Sequence, residues 1–206
     1  MPGPKEAISA VFFDLGKVIL PFDVRIATRA LEKECGVPSE EIVRRIFGNP
    51  LDWDFETGRI SPEEFYRKVC GETGLTLAYG RFVEIWNDIF SENQTVSRMV
   101  RGLIKRYPLA IISNTNPLHF AFVHKKFSIV REVDRFILSF REGVRKPDPR
   151  IFQVALDRLH AVPSESLYID DIEPFVHTAR SLGLRAIHFK DEAQLKKDLR
   201  ALGLLR

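Results

Sequence analysis

The second half of the chain alternates short apolar runs with stretches of helical periodicity, and this alternation restricts the fold more than any other feature. Apolar runs at 109–112, 136–138, 167–169 and 185–188 have the length of strands. Residues 96–105, 118–126, 149–159, 174–182 and 192–202 place apolar side chains at helical spacing around them. Strands joined by helices run parallel, because a parallel neighbour needs a long crossover, and such a sheet is covered on both faces. One more apolar run, Ala10-Val11-Phe12-Phe13, stands alone near the N-terminus and ends at Asp14. The sequence therefore predicts an α/β fold built on a doubly wound parallel sheet.

Between that first strand and the alternating half, the pattern is helical throughout. Ile26, Ala27, Ala30 and Leu31 share one helix face, and Gly36 stops that helix. Pro38-Ser39-Glu40-Glu41 reads as a helix start, with Ile42, Val43 and Ile46 turned inward. Ser61-Pro62-Glu63-Glu64 reads as another, with serine as N-cap, proline at the first helical position and acids in the first turn. Residues 79–90 read as a further helix. The expected organisation is a core of residues 1–17 and 93–206, interrupted by an inserted all-helical cap of residues 18–92. A chain of 206 residues with 45% hydrophobic content can fill one good core and a smaller satellite unit.

Composition excludes several function classes. The formal net charge is +3 with the two signs interspersed, so no nucleic-acid surface is expected. The run from Ile8 to Leu20 is broken by Asp14 and Lys17, and no other stretch is long and apolar enough for a signal peptide or membrane span. Cys35 and Cys70 lack metal-ligand spacing and read as free thiols, which predicts a reduced, cytoplasmic setting. Residues 1–7 read as a short flexible lead-in. Monomer and dimer both remain open.

The chemistry gathers at strand ends, where an open parallel sheet binds its ligands. The first strand runs into Asp14, the second into Ser113-Asn114-Thr115-Asn116, and the fourth into Asp170-Asp171. The third is followed by a loop carrying Arg145-Lys146-Pro147-Asp148. Taken alone, Asp14 reads as a residue that caps or turns the loop after its strand. Three carboxylates brought together repel unless a cation holds them, and an oxygen-rich, partly open shell suits Mg²⁺ with a substrate phosphate. A carboxylate attacking phosphorus forms an aspartyl-phosphate, while metal, lysine and amides stabilise the transferring charge. Trp53, Phe55 and Glu56 are candidates to line the cap above this edge, the aromatics alternatively packing the cap's own core. The five histidines show no metal-ligand spacing and read as surface or packed residues.

These motifs, in this order, resemble the haloacid dehalogenase-like (HAD) hydrolase superfamily, in its helical-cap subgroup. The resemblance rests on Phe13-Asp14-Leu15-Gly16-Lys17-Val18, Ile112-Ser113-Asn114-Thr115-Asn116, Arg145-Lys146-Pro147-Asp148-Pro149 and Tyr168-Ile169-Asp170-Asp171-Ile172, with Gly58-Arg59-Ile60-Ser61-Pro62-Glu63-Glu64-Phe65 in the cap. It implies Asp14 as nucleophile and metal ligand and Gly16 as a backbone-carbonyl ligand. Ser113 and Asn114 would bind the phosphoryl group, and Lys146 would steady nucleophile and phosphate. Asp171 would be the chief second metal carboxylate, with Asp170 facing Lys146 or the metal shell. The implied activity is a Mg²⁺-dependent phosphatase acting on a small phosphorylated metabolite, of the sugar-phosphate type.

Two positions depart from the superfamily's phosphatase pattern. An acid/base aspartate usually stands two places after the nucleophile, where this chain has Gly16; slow turnover could survive that loss, and Asp23 or Glu173 could stand in for the acid. An Asp or Asn usually stands four places after the metal aspartate, where this chain has Phe175. These departures keep two rivals in view: a catalytically weak HAD-like domain that binds a phosphorylated ligand or protein, and a metal-independent 2-haloacid dehalogenase.

Overall fold

The computed structural model describes residues 7–205, so the N-terminal lead-in and the first positions of the expected core segment lie, apart from Ala7 onward, outside the described residues. The strands are β1 (Ala10–Phe13), β2 (Leu109–Ser113), β3 (Arg135–Leu138), β4 (Ser166–Asp170) and β5 (Arg185–His188). They pair in the order β3-β2-β1-β4-β5, every pairing parallel. β1, β2 and β4 are buried at every position, as their unbroken apolar runs require of strands covered on both faces.

The alternation of side chains along each strand divides the core in two. Val11, Phe13, Ile111 and Ile169 belong to one apolar cluster, with α6 (Gln94–Ile104), α7 (Pro117–Lys126) and α12 (Glu192–Ala201) contributing Val96, Val100, Phe120, Val123, Leu195 and Leu199. Phe12, Ala110, Ile112 and Tyr168 belong to the other, with Ile151, Phe152 and Ala155 of α10 (Pro149–Leu159) and Ala179 of α11 (Glu173–Ser181). Two short helices, α8 (Ser128–Arg131) and α9 (Ser139–Glu142), flank β3.

Helical segments consistent with a cap follow β1: α1 (Val24–Cys35), α2 (Ser39–Ile46), α3 (Pro50–Glu56), α4 (Pro62–Thr73) and α5 (Tyr79–Asn87). They share their own apolar cluster, in which Phe55 stacks on Phe65 at 4.1 Å between ring centroids and Phe65 meets Trp86 edge-on at 5.0 Å. Val18, Ile19 and Leu20 belong instead to the sheet's cluster, and the two chain crossings meet where Phe22 and Phe90 form an antiparallel bridge. The Ser61 N-cap forms as its sequence predicts, its hydroxyl accepting from the Glu64 N–H at 3.1 Å. Cys35 and Cys70 are half-buried free thiols.

α3 is a helix that the periodicity did not announce. Seven residues are too few to show an amphipathic repeat, and its signals are local. The Asn49 side chain accepts from the Leu51 N–H at 3.0 Å, and Pro50 occupies the first turn. Its end is fixed by Gly58, whose φ is +69° and whose place a Cβ would bring within 2.3 Å of the Phe140 carbonyl oxygen. Only glycine lets the turn after α3 rest directly on the backbone of α9.

Candidate active site

The order of the strands places a crevice at their carboxyl ends between β1 and β4, where the crossovers change direction. Phe13 lies opposite Ile111 on β2 and Ile169 on β4, so Asp14 leaves the sheet level with the end of β4. The Asp14 N–H donates to the Ile169 carbonyl at 2.8 Å. Asp14, Asp170 and Asp171 each offer a carboxylate oxygen within 4.8 Å of the others.

Lys146 is the hub of this cluster, with 2% of its surface exposed. Its ammonium donates to Asp14 Oδ1 and Asp170 Oδ2, both at 2.6 Å, with Tyr168 Oη at 3.0 Å and the Ile112 carbonyl at 3.1 Å completing the shell. The Tyr168 hydroxyl donates to Asp170, leaving its oxygen lone pairs to accept from Lys146. The Phe175 ring lies 5.1 Å from the ammonium, so the aromatic at this departing position packs against the lysine as a cation–π partner.

Asn114 spends its side chain on the same lysine. Its Oδ1 accepts from the Lys146 N–H at 2.8 Å and its Nδ2 donates to the Lys146 carbonyl at 2.9 Å. Both amide atoms are thereby committed to the backbone across the cleft. Ser113 ends β2, is buried, and lines an adjoining cavity; its hydroxyl has only a long 3.4 Å contact to the Asn114 carbonyl. Thr115 and Asn116 are structural: the Thr115 N–H donates to Ser139 Oγ at 3.0 Å, and Asn116 caps α7 through the His119 N–H at 3.0 Å. His119 stacks on Trp86, and burial pulls its imidazole down to about 4, so it is a packed neutral residue.

The two adjacent aspartates face different ways. Asp170 is fully buried, and its Oδ1 accepts from the Ile172 N–H at 2.8 Å while Oδ2 takes Lys146 and Tyr168. Asp171 is half-buried and lines a cleft of about 170 Å³ with Asp14, Gly16, Lys17, Asn114, Lys146 and Phe175. The Gly16 carbonyl accepts from the Val18 N–H at 2.6 Å.

Electrostatically the cluster is short of positive charge. Burial, and then the charges of Asp170 and Asp171, push the Asp14 carboxyl up to about 7 despite the opposing lysine. Burial alone would lower the Lys146 ammonium, but Asp14 and Asp170 outweigh it and hold it above the usual lysine range. Burial and Asp170 likewise raise Asp171. Three carboxylates against one ammonium, with Asp14 and Asp171 open to a cleft, form an all-oxygen donor set that fits a hard divalent cation.

The cap closes the other side. Phe22, Glu56, Gly16 and Asn114 line both the cleft and the adjoining cavity of about 220 Å³, which continues along Val24, Phe47, Phe90 and Val123. Arg145 reaches from the core to α3, its guanidinium 3.2 Å from Glu56 and 5.6 Å from the Trp53 ring centroid. Of the three residues expected to line the cap, Glu56 faces the cleft, Phe55 is buried in the cap's own core, and Trp53 is half-exposed beneath Arg145. Sequence reasoning passed over Tyr168 and Arg145, although each sits inside a motif already singled out. A larger groove of about 680 Å³, lined by Ile26, Phe122 and Lys126, holds none of the carboxylate cluster.

The chain matches the haloacid dehalogenase-like hydrolase family over residues 8–183 and belongs to it. It is 26% identical over 199 residues to a D-ribitol-5-phosphate phosphatase of Bacteroides thetaiotaomicron, covering 93% of this chain and 97% of that protein. It is 29% identical over 212 residues to a phosphatase of Mycobacterium tuberculosis, covering 97% of each. Among solved structures, a Bacteroides thetaiotaomicron HAD family enzyme in complex with magnesium and inorganic phosphate shares the fold, with a TM-score of 0.80, 22% identity, and coverage of 92% of this chain and 99% of that one. The kinship supports a phosphatase function and the resemblance to sugar-phosphate-type phosphatases.

Proposed function

We propose that this protein is a Mg²⁺-dependent phosphomonoester hydrolase that acts on a small phosphorylated metabolite through an aspartyl-phosphate on Asp14. The observation that carries the reading is Asp14 itself: a nearly buried carboxylate at a central strand end, 2.6 Å from a buried ammonium and within reach of Asp171 across a cleft. The cap is assigned to residues 18–92 and the catalytic core to residues 1–17 and 93–206. Mg²⁺ would be held by Asp14, Asp171 and the Gly16 carbonyl, with Asp170 behind them. Bound there, it would neutralise phosphoryl oxygens and keep Asp14 ionised.

The remaining work falls to the chain's own groups. An Asp14 oxygen attacks phosphorus, the ester P–O bond breaks, and the leaving alcohol takes a proton. Lys146 orients Asp14 by hydrogen bonding and offsets charge on the transferring group. Asn114 positions Lys146 through its backbone, and Ser113 with nearby N–H groups receives phosphoryl oxygens. Water then attacks the aspartyl-phosphate, releasing phosphate and regenerating Asp14. The paired Asp170 and Asp171, both grouped with Asp14, favour this reading over a metal-independent dehalogenase, since a metal-free site has no use for both. The free Cys35 and Cys70 suit a reducing cytoplasm.

The test is turnover of an aryl phosphate and of a panel of sugar and polyol phosphates, with Mg²⁺ and with chelator, in wild type beside Asp14→Asn. Metal-dependent turnover that disappears in Asp14→Asn is expected. Turnover that survives that substitution, or halide release from a 2-haloacid in chelator, overturns the reading.

A further inference from the structure

The space beside Gly16 is occupied by the Phe22 ring. A Cβ on Gly16 would approach Phe22 Cε1 to 2.8 Å, so a side chain at this position has to displace that ring. The ring is itself held: Lys17 Nζ lies 4.6 Å from its centroid and donates to the Phe22 carbonyl at 2.5 Å, while Phe90 packs against it at 5.7 Å. A protein acid for this reaction, if it is to reach the cleft without displacing the ring, comes from another part of the chain.

The substitutes suggested by sequence are not in position. Asp23 spends its carboxylate capping α1 through the Arg25 N–H at 2.9 Å, and neither it nor Glu173 lines the cleft. Of the carboxylates that do line it, Asp14 and Asp171 belong to the nucleophile and cation cluster, and Glu56 remains. Asp52 lines only the adjoining cavity and accepts from the Gly48 N–H at 3.0 Å. Glu56 stands where the two cavities share their walls, beside Gly16 and Phe22. Its Oε2 is buried without a hydrogen bond, since Arg145 at 3.2 Å approaches outside hydrogen-bond geometry.

We propose that Glu56, delivered by the cap, is the general acid–base of the reaction, in place of the side chain that Phe22 excludes from position 16. The proposal rests on the phosphatase reading above. As Asp14 attacks, the Glu56 carboxyl passes its proton to the departing ester oxygen, giving the alcohol and a Glu56 carboxylate. That carboxylate then takes a proton from the water that attacks phosphorus, giving phosphate, free Asp14 and protonated Glu56. Burial, and then the nearby Asp52 charge, push the Glu56 carboxyl up to about 7 against the opposing Arg145 and Lys146, so near neutral pH it can serve both steps. An acid carried by the cap also leaves water unactivated until the cap lies over bound substrate.

The discriminating measurement is the dependence on leaving group in Glu56→Gln, which keeps the side chain's shape. Nitrophenolate needs no proton to depart, so with 4-nitrophenyl phosphate and Mg²⁺ the variant should release one equivalent in a burst. It should then stall as phosphoprotein visible by mass spectrometry. With an alkyl phosphate it should show no burst, and kcat should fall by about 10²–10⁴-fold with KM nearly unchanged. The burst also shows that the variant is folded. Placing the acid back, as Gly16→Asp with Phe22→Ala in the Glu56→Gln background, should restore alkyl phosphate turnover, whereas Gly16→Asp without Phe22→Ala should not. Loss of the 4-nitrophenyl phosphate burst in a variant whose thermal midpoint matches wild type, a change confined to KM, or no loss overturns the role of Glu56 and leaves the phosphatase reading standing. Wild type inert on both substrates overturns that reading and this one together.

Discussion

Two carboxylates face each other across the cleft, Asp14 on the core side and Glu56 on the cap side, and burial pushes both up to about 7. Their partners differ. Asp14 sits in a network of charge-assisted hydrogen bonds, in which a buried lysine is clamped by Asp170, Tyr168 and the amide of Asn114. Glu56 has one cation beside it, a half-buried arginine at 3.2 Å, and an oxygen with no hydrogen bond. A fully satisfied network is rigid and fixes the direction of its members, whereas an unsatisfied buried carboxyl is a group waiting for a partner.

The comparison breaks most visibly at Lys146. Lys146→Met would leave Asp14 and Asp170 buried without their cation, which should destabilise the protein by about 3–5 kcal/mol at neutral pH as well as remove activity. Chemical denaturation measures the first effect, and a stability within 1 kcal/mol of wild type, roughly the worth of one net hydrogen bond, would show that the network is not what holds the core side together. Asp14→Asn should lower turnover by about 10³-fold or more, equivalent to roughly 4 kcal/mol of barrier, while the melting temperature stays close to wild type.

The cap side should announce itself in the pH dependence of stability. The folded Glu56 carboxyl keeps its proton up to about 7, while an unfolded one releases it near 4.5. Between those values the folded state binds more protons, so stability falls as pH rises through the window, by on the order of 3 kcal/mol from this group. Glu56→Gln should make the fall of the thermal midpoint between about pH 5 and pH 7.5 shallower, the remaining slope coming from Asp14, whose carboxyl is raised over the same window, and an unchanged slope would count against the environment described for Glu56. The smallest effect is expected from Tyr168→Phe. It removes one donor from Asp170, at about 1–2 kcal/mol, and should leave KM for any substrate unchanged because the hydroxyl is buried behind the lysine.

Much of this was legible along the chain. The buried strands declare themselves as unbroken apolar runs, and the residues that follow them, Asp14, Ser113 and Asp170-Asp171, can be read as one edge once the sheet is known to be parallel. The Ser61 cap reads correctly because it depends on neighbours close in sequence. Helix α3 was missed because seven residues carry too little periodicity, although Asn49-Pro50 marked its start. The commitment of Asn114 to the Lys146 backbone was hidden for another reason: the two are 32 positions apart, and an amide that binds substrate looks the same in sequence as one that binds a peptide.

Local chemistry in the sequence thus determined the class of fold, the loop that carries Asp14 past the end of its strand, and the absence of an acid at position 16. Tertiary structure alone decided that Asp170 turns inward and Asp171 outward, that Phe175 lies against Lys146, and that Phe22 fills the space beside Gly16 while Glu56 reaches the cleft from the cap. Periodicity and capping depend on residues a few places apart, so the chain displays them directly. Which side chain occupies a given volume depends on segments folded together from distant parts of it, and exclusion of one group by another exists only once they meet.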